Sequence, residues 1–248
     1  MENDDFGIVA EGYGSVKTEE TPVRKWIEDP MMELLCGDLS GQNVADLACS
    51  DGHFSSKLVS LGARSICAID LSPKMISIAK SRFSDPKLRF VAADIFEYEG
   101  DAMFDFVLSS FVTSYASDFE DLFLMLDRIA ALLKPGGRLV GFCEPETLPT
   151  EAGIDSSKYG KTKKWSAGKT EMSKVDIVWH HDGQIVPFQC TGIHPSSIRK
   201  ALEASNFEQV RIHRPAATQP AKDAFEIGFW DNFDAYPLFN MFTACKPR

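Results

Sequence analysis

Residues 44–54 are the part of this 248-residue chain that most restricts its possible folds. Their sequence is Val-Ala-Asp-Leu-Ala-Cys-Ser-Asp-Gly-His-Phe, and its apolar start predicts a short buried strand over Val44–Leu47 with one acidic residue, Asp46. Small and turn-forming residues follow over 48–52, and an apolar helical pattern starts at His53. A strand, a tight turn and a helix in this order direct the free N–H groups of the helix N-terminus at whatever lies over the turn.

The turn does not match two common phosphate-binding patterns. A dinucleotide-binding loop would place glycine at three positions where this chain has Ala48, Ser50 and His53. A phosphate loop of the Walker type would end in Gly-Lys-Ser or Gly-Lys-Thr, and this turn contains no lysine. A nicotinamide-dependent reductase is therefore the least supported class of enzyme.

Apolar strand patterns alternate with helical patterns along the chain. Parallel strands joined by helices form a sheet with helices on both faces, so the alternation predicts an α/β fold. Ser72 and Pro73 are the residue types of an N-cap and of a first helical position. The predicted core strands are 44–47, 65–69, 88–92, 104–109, 138–143, 208–213 and 238–245, and the predicted helices start at 22, 53, 73, 119 and 195.

The alternation stops after the fifth predicted strand, at about residue 145. A hairpin is predicted around His-Asp-Gly-Gln at 181–184, because Asp-Gly favours a two-residue turn, and Pro187 places one of its strands at an edge. Open α/β sheets bind ligands at the carboxyl ends of their strands, so a cap over the site is favoured over an insertion without function. The predicted division is a helical lead-in or lid at 1–40, a core at 41–144, a cap at 145–194 and a completion of the core sheet at 195–248.

Composition restricts the partners and the compartment. A net charge of −10 and a pI of about 5.0 disfavour nucleic acid as a partner, since proteins that bind it usually carry a basic face. No apolar run approaches the roughly 20 residues of a membrane span, and the acidic first residues lack a signal-peptide pattern, so we expect a cytoplasmic protein without membrane partners. The six cysteines form no C-x-x-C pair, which favours reduced thiols over a metal site.

Five motifs follow one another along the chain. They are Val-Ala-Asp-Leu-Ala-Cys-Ser-Asp-Gly (44–52), Ala-Ile-Asp-Leu-Ser-Pro-Lys-Met (68–75), Ala-Ala-Asp-Ile (92–95), Phe-Asp-Phe-Val (104–107) and Leu-Leu-Lys-Pro-Gly-Gly-Arg-Leu (132–139). Their order and spacing resemble class I S-adenosylmethionine-dependent methyltransferases. This resemblance implies a Rossmann-like, doubly wound, mostly parallel seven-stranded sheet with an antiparallel last strand and a small β-containing cap after the fifth strand. Ser-Tyr-Ala at 114–116 and Phe-Trp-Asp-Asn-Phe at 229–233 are similar to the toxoflavin-synthase-like methyltransferases of small molecules.

The resemblance implies S-adenosylmethionine as the cofactor and a role for each strand end. Asp70 would accept hydrogen bonds from both ribose hydroxyls, because two adjacent hydroxyls suit a bidentate carboxylate. Asp94 would accept from the adenine amino group, and Asp46 would orient the turn or meet the ammonium group. The other implied contacts are apolar contacts of Leu71, Met75 and Ile95 with adenine, close backbone approach at Ala48, Ser50 and Gly52, Ser109 beside the sulfonium, and Tyr13 either closing over the cofactor or standing as an ordinary loop aromatic.

Ser50 departs from the family pattern, which has glycine there because the backbone approaches the cofactor or needs a conformation that penalises a Cβ. Ala48 likewise replaces a glycine. These departures keep open a second hypothesis, a non-catalytic cofactor-binding or regulatory protein of the same fold. A protein or tRNA methyltransferase is a third hypothesis, which is disfavoured by the acidic charge and by Ser-Ser-Phe-Val at 109–112 in place of Asn/Asp-Pro-Pro-Tyr/Phe.

The resemblance implies methyl transfer to O, N or C of a small-molecule acceptor by in-line displacement, which mainly requires positioning and exclusion of water. A general base is needed only where the acceptor must lose a proton. We expect no metal, a pocket walled by aromatic residues of the cap and tail, and a monomer or homodimer. The candidate bases are His181, His194 and Tyr115, with His180 and Glu144 as further candidates.

Overall fold

The computed structural model describes residues 21–100, 102–145, 156–165, 171–181 and 184–248, without the side chains of residues 165, 181 and 184. The strands are β1 (Asn43–Leu47), β2 (Ser65–Asp70), β3 (Leu88–Ala92), β4 (Phe104–Ser110), β5 (Leu133–Cys143), β6 (Lys161–Trp165), β7 (Met172–His181), β8 (Gln184–Ile193), β9 (Glu208–His213) and β10 (Asn240–Cys245). The helices are α1 (Asp29–Cys36), α2 (His53–Ser60), α3 (Pro73–Arg82), α4 (Phe119–Leu132), α5 (Pro195–Ala204), α6 (Gln219–Asp223) and α7 (Asp231–Ala235).

Seven of these strands form one sheet in the order β3-β2-β1-β4-β5-β10-β9. β1 pairs in parallel with β2 and β4, β2 with β3, and β4 with β5. β10 runs antiparallel to both of its neighbours, β5 and β9. The predicted doubly wound, mostly parallel sheet with an antiparallel last strand is therefore confirmed. The strand order reverses between β1 and β4, and such a reversal opens a crevice at the carboxyl ends of the strands.

Helices cover both faces of the sheet because the central strands are apolar on both sides. On one face α1, α2 and α3 pack in a core with aromatic residues of the C-terminal part, including Phe142 and Trp230. On the other face α4 and α5 pack through residues such as Leu126 and Ile198. Among the described residues, no helix combines the length and the apolar content that a membrane crossing requires.

Two helix starts test the local sequence arguments. The Ser72 hydroxyl accepts a 3.3 Å hydrogen bond from the Met75 N–H, and Pro73 takes the first position of α3, as predicted. The helix predicted to start at residue 22 contains a π-helical turn, Arg24–Glu28, directly before α1. Pro30 cannot donate a backbone hydrogen bond, so a local rearrangement of the ladder is expected here, and the wider turn provides it.

The cap is a separate three-stranded antiparallel sheet in the order β6-β7-β8. The predicted hairpin strands are present but longer, and Pro187 lies on β8, an edge strand. β6 was not predicted, because its sequence, Lys-Thr-Lys-Lys-Trp, is typical of a polar loop. Its alternate residues Lys161 and Lys163 are nevertheless buried, whereas Lys164 is exposed. The four-part division of the chain stays a prediction.

An aromatic cluster attaches the cap to the C-terminal part of the chain. The ring of Tyr159 stacks on Trp230 with centroids 5.3 Å apart, and its hydroxyl donates a 2.7 Å hydrogen bond to the Phe229 carbonyl. Phe233 contacts the same tyrosine edge-on. Such a cluster buries a large apolar area on both segments and stabilises their mutual position.

Candidate active site

The turn between β1 and α2 contains three residues with a left-handed backbone. The φ angle is 56° at Ala48, 51° at Ser50 and 84° at Gly52. Glycine takes this conformation without a steric penalty, whereas a residue with a Cβ is strained by roughly 1–2 kcal/mol. The backbone at Ala48 and Ser50 thus has the conformation for which the family pattern uses glycine.

Asp70, the last residue of β2, connects this turn to the next one. Its Oδ2 accepts a 2.8 Å hydrogen bond from the Ser50 N–H, and its Oδ1 accepts a 2.9 Å bond from the Ser72 N–H. Burial raises the pKa of this carboxyl, and the two backbone hydrogen bonds oppose that rise. Each carboxylate oxygen has two lone-pair sites, so each keeps one acceptor position beyond these bonds.

Asp46 lies in β1 beneath the same turn and is fully buried. The hydroxyl of Ser55 in α2 donates a 2.6 Å hydrogen bond to Oδ2, and Ser110 donates a 3.4 Å bond to Oδ1. Burial, together with the nearby carboxylates Asp70 and Asp51, raises the pKa of Asp46 to about 7, and these hydrogen bonds oppose that rise. Asp46 therefore holds α2 and β4 beside the turn.

A cavity of about 420 Å³ lies at the carboxyl ends of β1, β2 and β4 and is also walled by the cap. This volume is within the range of small-molecule and cofactor sites. Of the predicted site residues, those in its wall are Ala48, Ser50, Asp70, Leu71, Met75, Asp94, Ile95 and Tyr115. As far as the structure describes the chain, Asp46, Gly52, Ser109 and His194 lie outside this wall. Tyr13 and the side chain of His181 lie outside the described residues.

The serine of β4 that reaches the cavity is Ser110, not Ser109. Ser109 is fully buried, and its hydroxyl has no hydrogen-bond partner among the described residues. Successive side chains of a strand point to opposite faces, so an error of one residue exchanges a cavity residue for a core residue. Ser110, and not the predicted Ser109, therefore lines the cavity, and a role beside the sulfonium stays a prediction.

The described histidine side chains have local partners. His194 is the exposed N-cap of α5, where its Nδ1 accepts a 3.1 Å hydrogen bond from the Ser196 N–H. His180 contacts the Thr162 hydroxyl at 2.9 Å. His53 does line the cavity and contacts Asp29 at 2.9 Å. The structure thus gives His194 a capping role away from the cavity, and a different histidine, His53, is at its wall.

The cap end of the cavity contains a buried group of charged residues that the sequence did not indicate. Lys161 is 1% exposed, and its ammonium donates a 3.1 Å hydrogen bond to Glu28 Oε1. Arg24 forms a 2.9 Å ion pair with Glu28, and Lys163 pairs with Glu144. Burial lowers the pKa of Lys163 to about 7, whereas nearby Lys161 and Arg24 lower the pKa of Glu28 against the effect of its own burial.

Aromatic residues complete this end of the cavity. Trp179 and Phe188 of the cap line it, as does Phe111 after β4. Aromatic residues of the tail were also expected in the pocket wall, but the tail residues Phe229 and Trp230 pack on Tyr159. The wall therefore changes from carboxylates at the strand ends to aromatic rings and buried cations under the cap.

Comparison with known proteins identifies the central part of the chain. Residues 44–137 match the family described as a methyltransferase domain. A malonyl-[acyl-carrier protein] O-methyltransferase of Ilyobacter polytropus is 28% identical over 119 residues, which are 47% of this chain and 43% of that protein. The chain thus spans less than half the length of this curated relative.

Solved structures extend the likeness to the whole fold. An S-adenosylmethionine-dependent methyltransferase from Mesorhizobium loti superposes with a TM-score of 0.65 at 19% identity, over 92% of this chain and 100% of that one. The 1,6-didemethyltoxoflavin-N1-methyltransferase of Burkholderia thailandensis, solved with 1,6-didemethyltoxoflavin and S-adenosylhomocysteine, superposes with a TM-score of 0.60 at 19% identity, over 99% and 87%. At this identity the likeness shows a shared fold.

The fold and the domain match agree. The sheet order with its antiparallel strand is a Rossmann-like fold, which this chain shares with the solved methyltransferases. Residues 44–137 match a methyltransferase domain, the kind of domain that the motifs predicted.

Proposed function

We propose that this protein binds S-adenosylmethionine at the strand-end side of the cavity and methylates a small molecule held under the cap. The observation that carries the proposal is that one cavity joins Asp70 and Ile95 to Trp179 and Phe188. Cofactor and acceptor can therefore lie in contact in a site shielded from water, which a transfer by displacement requires. The apolar and aromatic wall and the net charge of −10 favour a small acceptor over a nucleic acid.

The residues present fit the cofactor. The two remaining acceptor positions of the Asp70 carboxylate suit the adjacent hydroxyls of a ribose, and the Ser50 N–H orients that carboxylate. Leu71 is 44% exposed beside it, and together with Ile95 it offers apolar surface for an adenine ring. Asp94 lies next to Ile95 in the cavity wall, where its carboxylate can accept from an amino group.

When bound, S-adenosylmethionine supplies an electrophilic methyl group on a positively charged sulfonium. The carboxylates of Asp70 and Asp94 make the strand-end side of the cavity favourable for a cation. The cap residues Trp179 and Phe188 exclude water and align the acceptor. The protein's contribution is then mainly positioning, supported by a polar group that controls the acceptor's proton.

Glu144 is the candidate that the geometry favours for handling that proton. It follows β5 directly, is 5% exposed and belongs to the cavity wall. Its backbone N–H donates to the Ser114 hydroxyl at 2.9 Å, and its carboxylate pairs with Lys163. A carboxylate held in this way can accept a proton from an O–H or N–H group of the acceptor. Tyr115 lies in the same wall and remains the second candidate.

Calorimetric titration with S-adenosylhomocysteine tests the proposal. We expect the unmodified protein to bind it and Asp70→Ala to bind at least about tenfold more weakly, because an acceptor for two hydroxyls is lost. Asp127→Ala is the matched control, since it removes an aspartate from an exposed position in α4. Folded protein that does not bind, or equal affinities in both variants, would contradict the proposed cofactor site.

A further inference from the structure

Lys161 is placed unusually for a lysine. It lies on the first strand of the cap sheet, is 1% exposed and contributes to the cavity wall. Its ammonium lies 5.0 Å from the ring centroid of Trp179 and 5.7 Å from that of Phe111, and both rings line the same cavity. Lysine is almost never fully buried unless its charge is paired, so the burial of Lys161 requires interaction partners for its ammonium.

Pairing with Glu28 does not by itself account for this lysine. Glu28 already forms a 2.9 Å ion pair with Arg24, so its single negative charge is shared between two cations. An ammonium has three N–H donors, and among the described residues only one hydrogen-bond acceptor, Glu28 Oε1, is within reach of Lys161. The rings of Trp179 and Phe111 in the cavity wall, and that of Phe239, are the other groups that lie near this ammonium among the described residues.

We propose that Lys161 binds an anionic group of the methyl acceptor, and that the acceptor is a planar organic anion such as an aromatic carboxylate. The inference rests on the proposed function and specifies its substrate class. The ammonium provides charge-assisted hydrogen bonds to the anionic oxygen, while Trp179 and Phe188 contact the planar apolar part. When the anionic group of the acceptor enters the cavity, it loses its hydrogen bonds to water. Hydrogen bonds from the Lys161 ammonium replace them.

The charges around the cavity agree with this orientation. The aspartates Asp70 and Asp94 lie in the wall at the strand ends, where a cationic sulfonium is expected. Glu144 lies in the wall near the cap, and its carboxylate is already paired with Lys163. An anion near Lys161 and a cation near Asp70 would each meet the opposite charge, and exchanging the two ends would be unfavourable.

Matched ligands that differ in charge test the proposal. We would titrate the protein, saturated with S-adenosylhomocysteine, with benzoate and benzamide and with naphthoate and naphthamide. Each pair has the same ring system and nearly the same shape. We expect each carboxylate to bind roughly 10- to 100-fold more tightly than its amide. Equal affinities within both pairs, or no detectable binding of either carboxylate, would overturn the proposal without any variant.

Two lysine substitutions on β6 locate the effect. In Lys161→Met, which keeps the length of the side chain and removes its charge, the preference for the carboxylates is expected to disappear. Lys164→Met removes the same charge from an exposed residue three positions along the strand and is expected to keep the preference. Thermal unfolding establishes that each variant is folded. A folded Lys161→Met protein that still prefers the carboxylates would overturn the assignment to Lys161.

The calorimetric titration with S-adenosylhomocysteine separates a failure of this inference from a failure of the proposed function. If S-adenosylhomocysteine binds but the carboxylates have no advantage over the amides, the cofactor site stands and only the inference fails. If S-adenosylhomocysteine does not bind, the proposed function fails, and the same ligand pairs added to the protein alone still show whether Lys161 selects an anion.

Discussion

The two ends of the cavity are built in different ways. The strand-end side is formed by backbone groups and short acidic side chains at or just after the ends of β1, β2 and β3, between residues 48 and 95. The cap end depends on long charged side chains from segments far apart, such as Glu28 and Lys161, which are 133 residues apart in the chain. Local sequence patterns determine the first arrangement, whereas the second exists only when distant segments pair.

The largest effect is expected from breaking the buried pairing at the cap end. Glu28→Gln removes the carboxylate that Lys161 and Arg24 share, so we expect the free energy of unfolding to fall by about 3–5 kcal/mol. Glu33→Gln is the control, because Glu33 has a 44% exposed side chain paired with Lys57 and should cost at most about 1 kcal/mol. Urea denaturation measures both values, and similar small losses would show that the buried charges are not coupled.

The two ends of the cavity are expected to contribute opposite slopes to the pH dependence of the free energy of unfolding. The pKa of Asp46 is raised from 3.8 to about 7, so the folded state holds the proton longer, and this contribution to stability is lost as the pH rises through 7. The pKa of Lys163 is lowered from 10.5 to about 7, so its contribution increases as the pH rises from 7 towards 10.5.

A separate substitution tests each of these two slopes. We expect Asp46→Asn to flatten the fall in unfolding free energy between about pH 4 and 7, and Lys163→Met to flatten the rise above about pH 7, with changes on the order of a few kcal/mol. Urea denaturation at a series of pH values measures both. If the two variants changed the same part of the profile, the opposite titrations assigned to the two ends would be wrong.

The smallest effect is expected from the turn. Ser50→Gly removes a Cβ from a left-handed residue, and this gain is partly offset by the greater freedom of glycine in the unfolded chain. We expect a net stabilisation of at most about 1 kcal/mol, or roughly 2–4 °C in the unfolding temperature. Ser50→Ala keeps the Cβ and should leave the temperature unchanged. Equal changes in both variants would mean that the hydroxyl, not the backbone, determines the effect.

Most of the strand-end side could be predicted because its signals are local. Asp70 ends an apolar strand and is followed by a Ser-Pro helix start, so both its position and its surroundings follow from neighbouring residues. The one-residue difference at β4 shows the limit of such arguments. Ser109 and Ser110 are identical in type, and only the register with β1 and β5 determines which of them faces the cavity.

The cap end could be predicted only in part. The hairpin of β7 and β8 has a period of two and a turn dipeptide, both of which are visible in the sequence. The inward residues of β6 are lysines, and a lysine in a strand indicates burial only when its carboxylate partner is known. That partner, Glu28, lies in the lead-in helix 133 residues earlier in the chain, and no periodicity connects the two segments.

The position of β10 has a consequence for how the protein is made. The strands β1 to β5 follow one another directly, so the strand-end side of the cavity is complete in sequence once residue 143 has been synthesised. β5 remains an open edge until Asn240–Cys245 arrives and inserts between β5 and β9. During translation the strand-end half of the cavity can therefore assemble first, and the cap half acquires its final frame only when β10 closes the sheet.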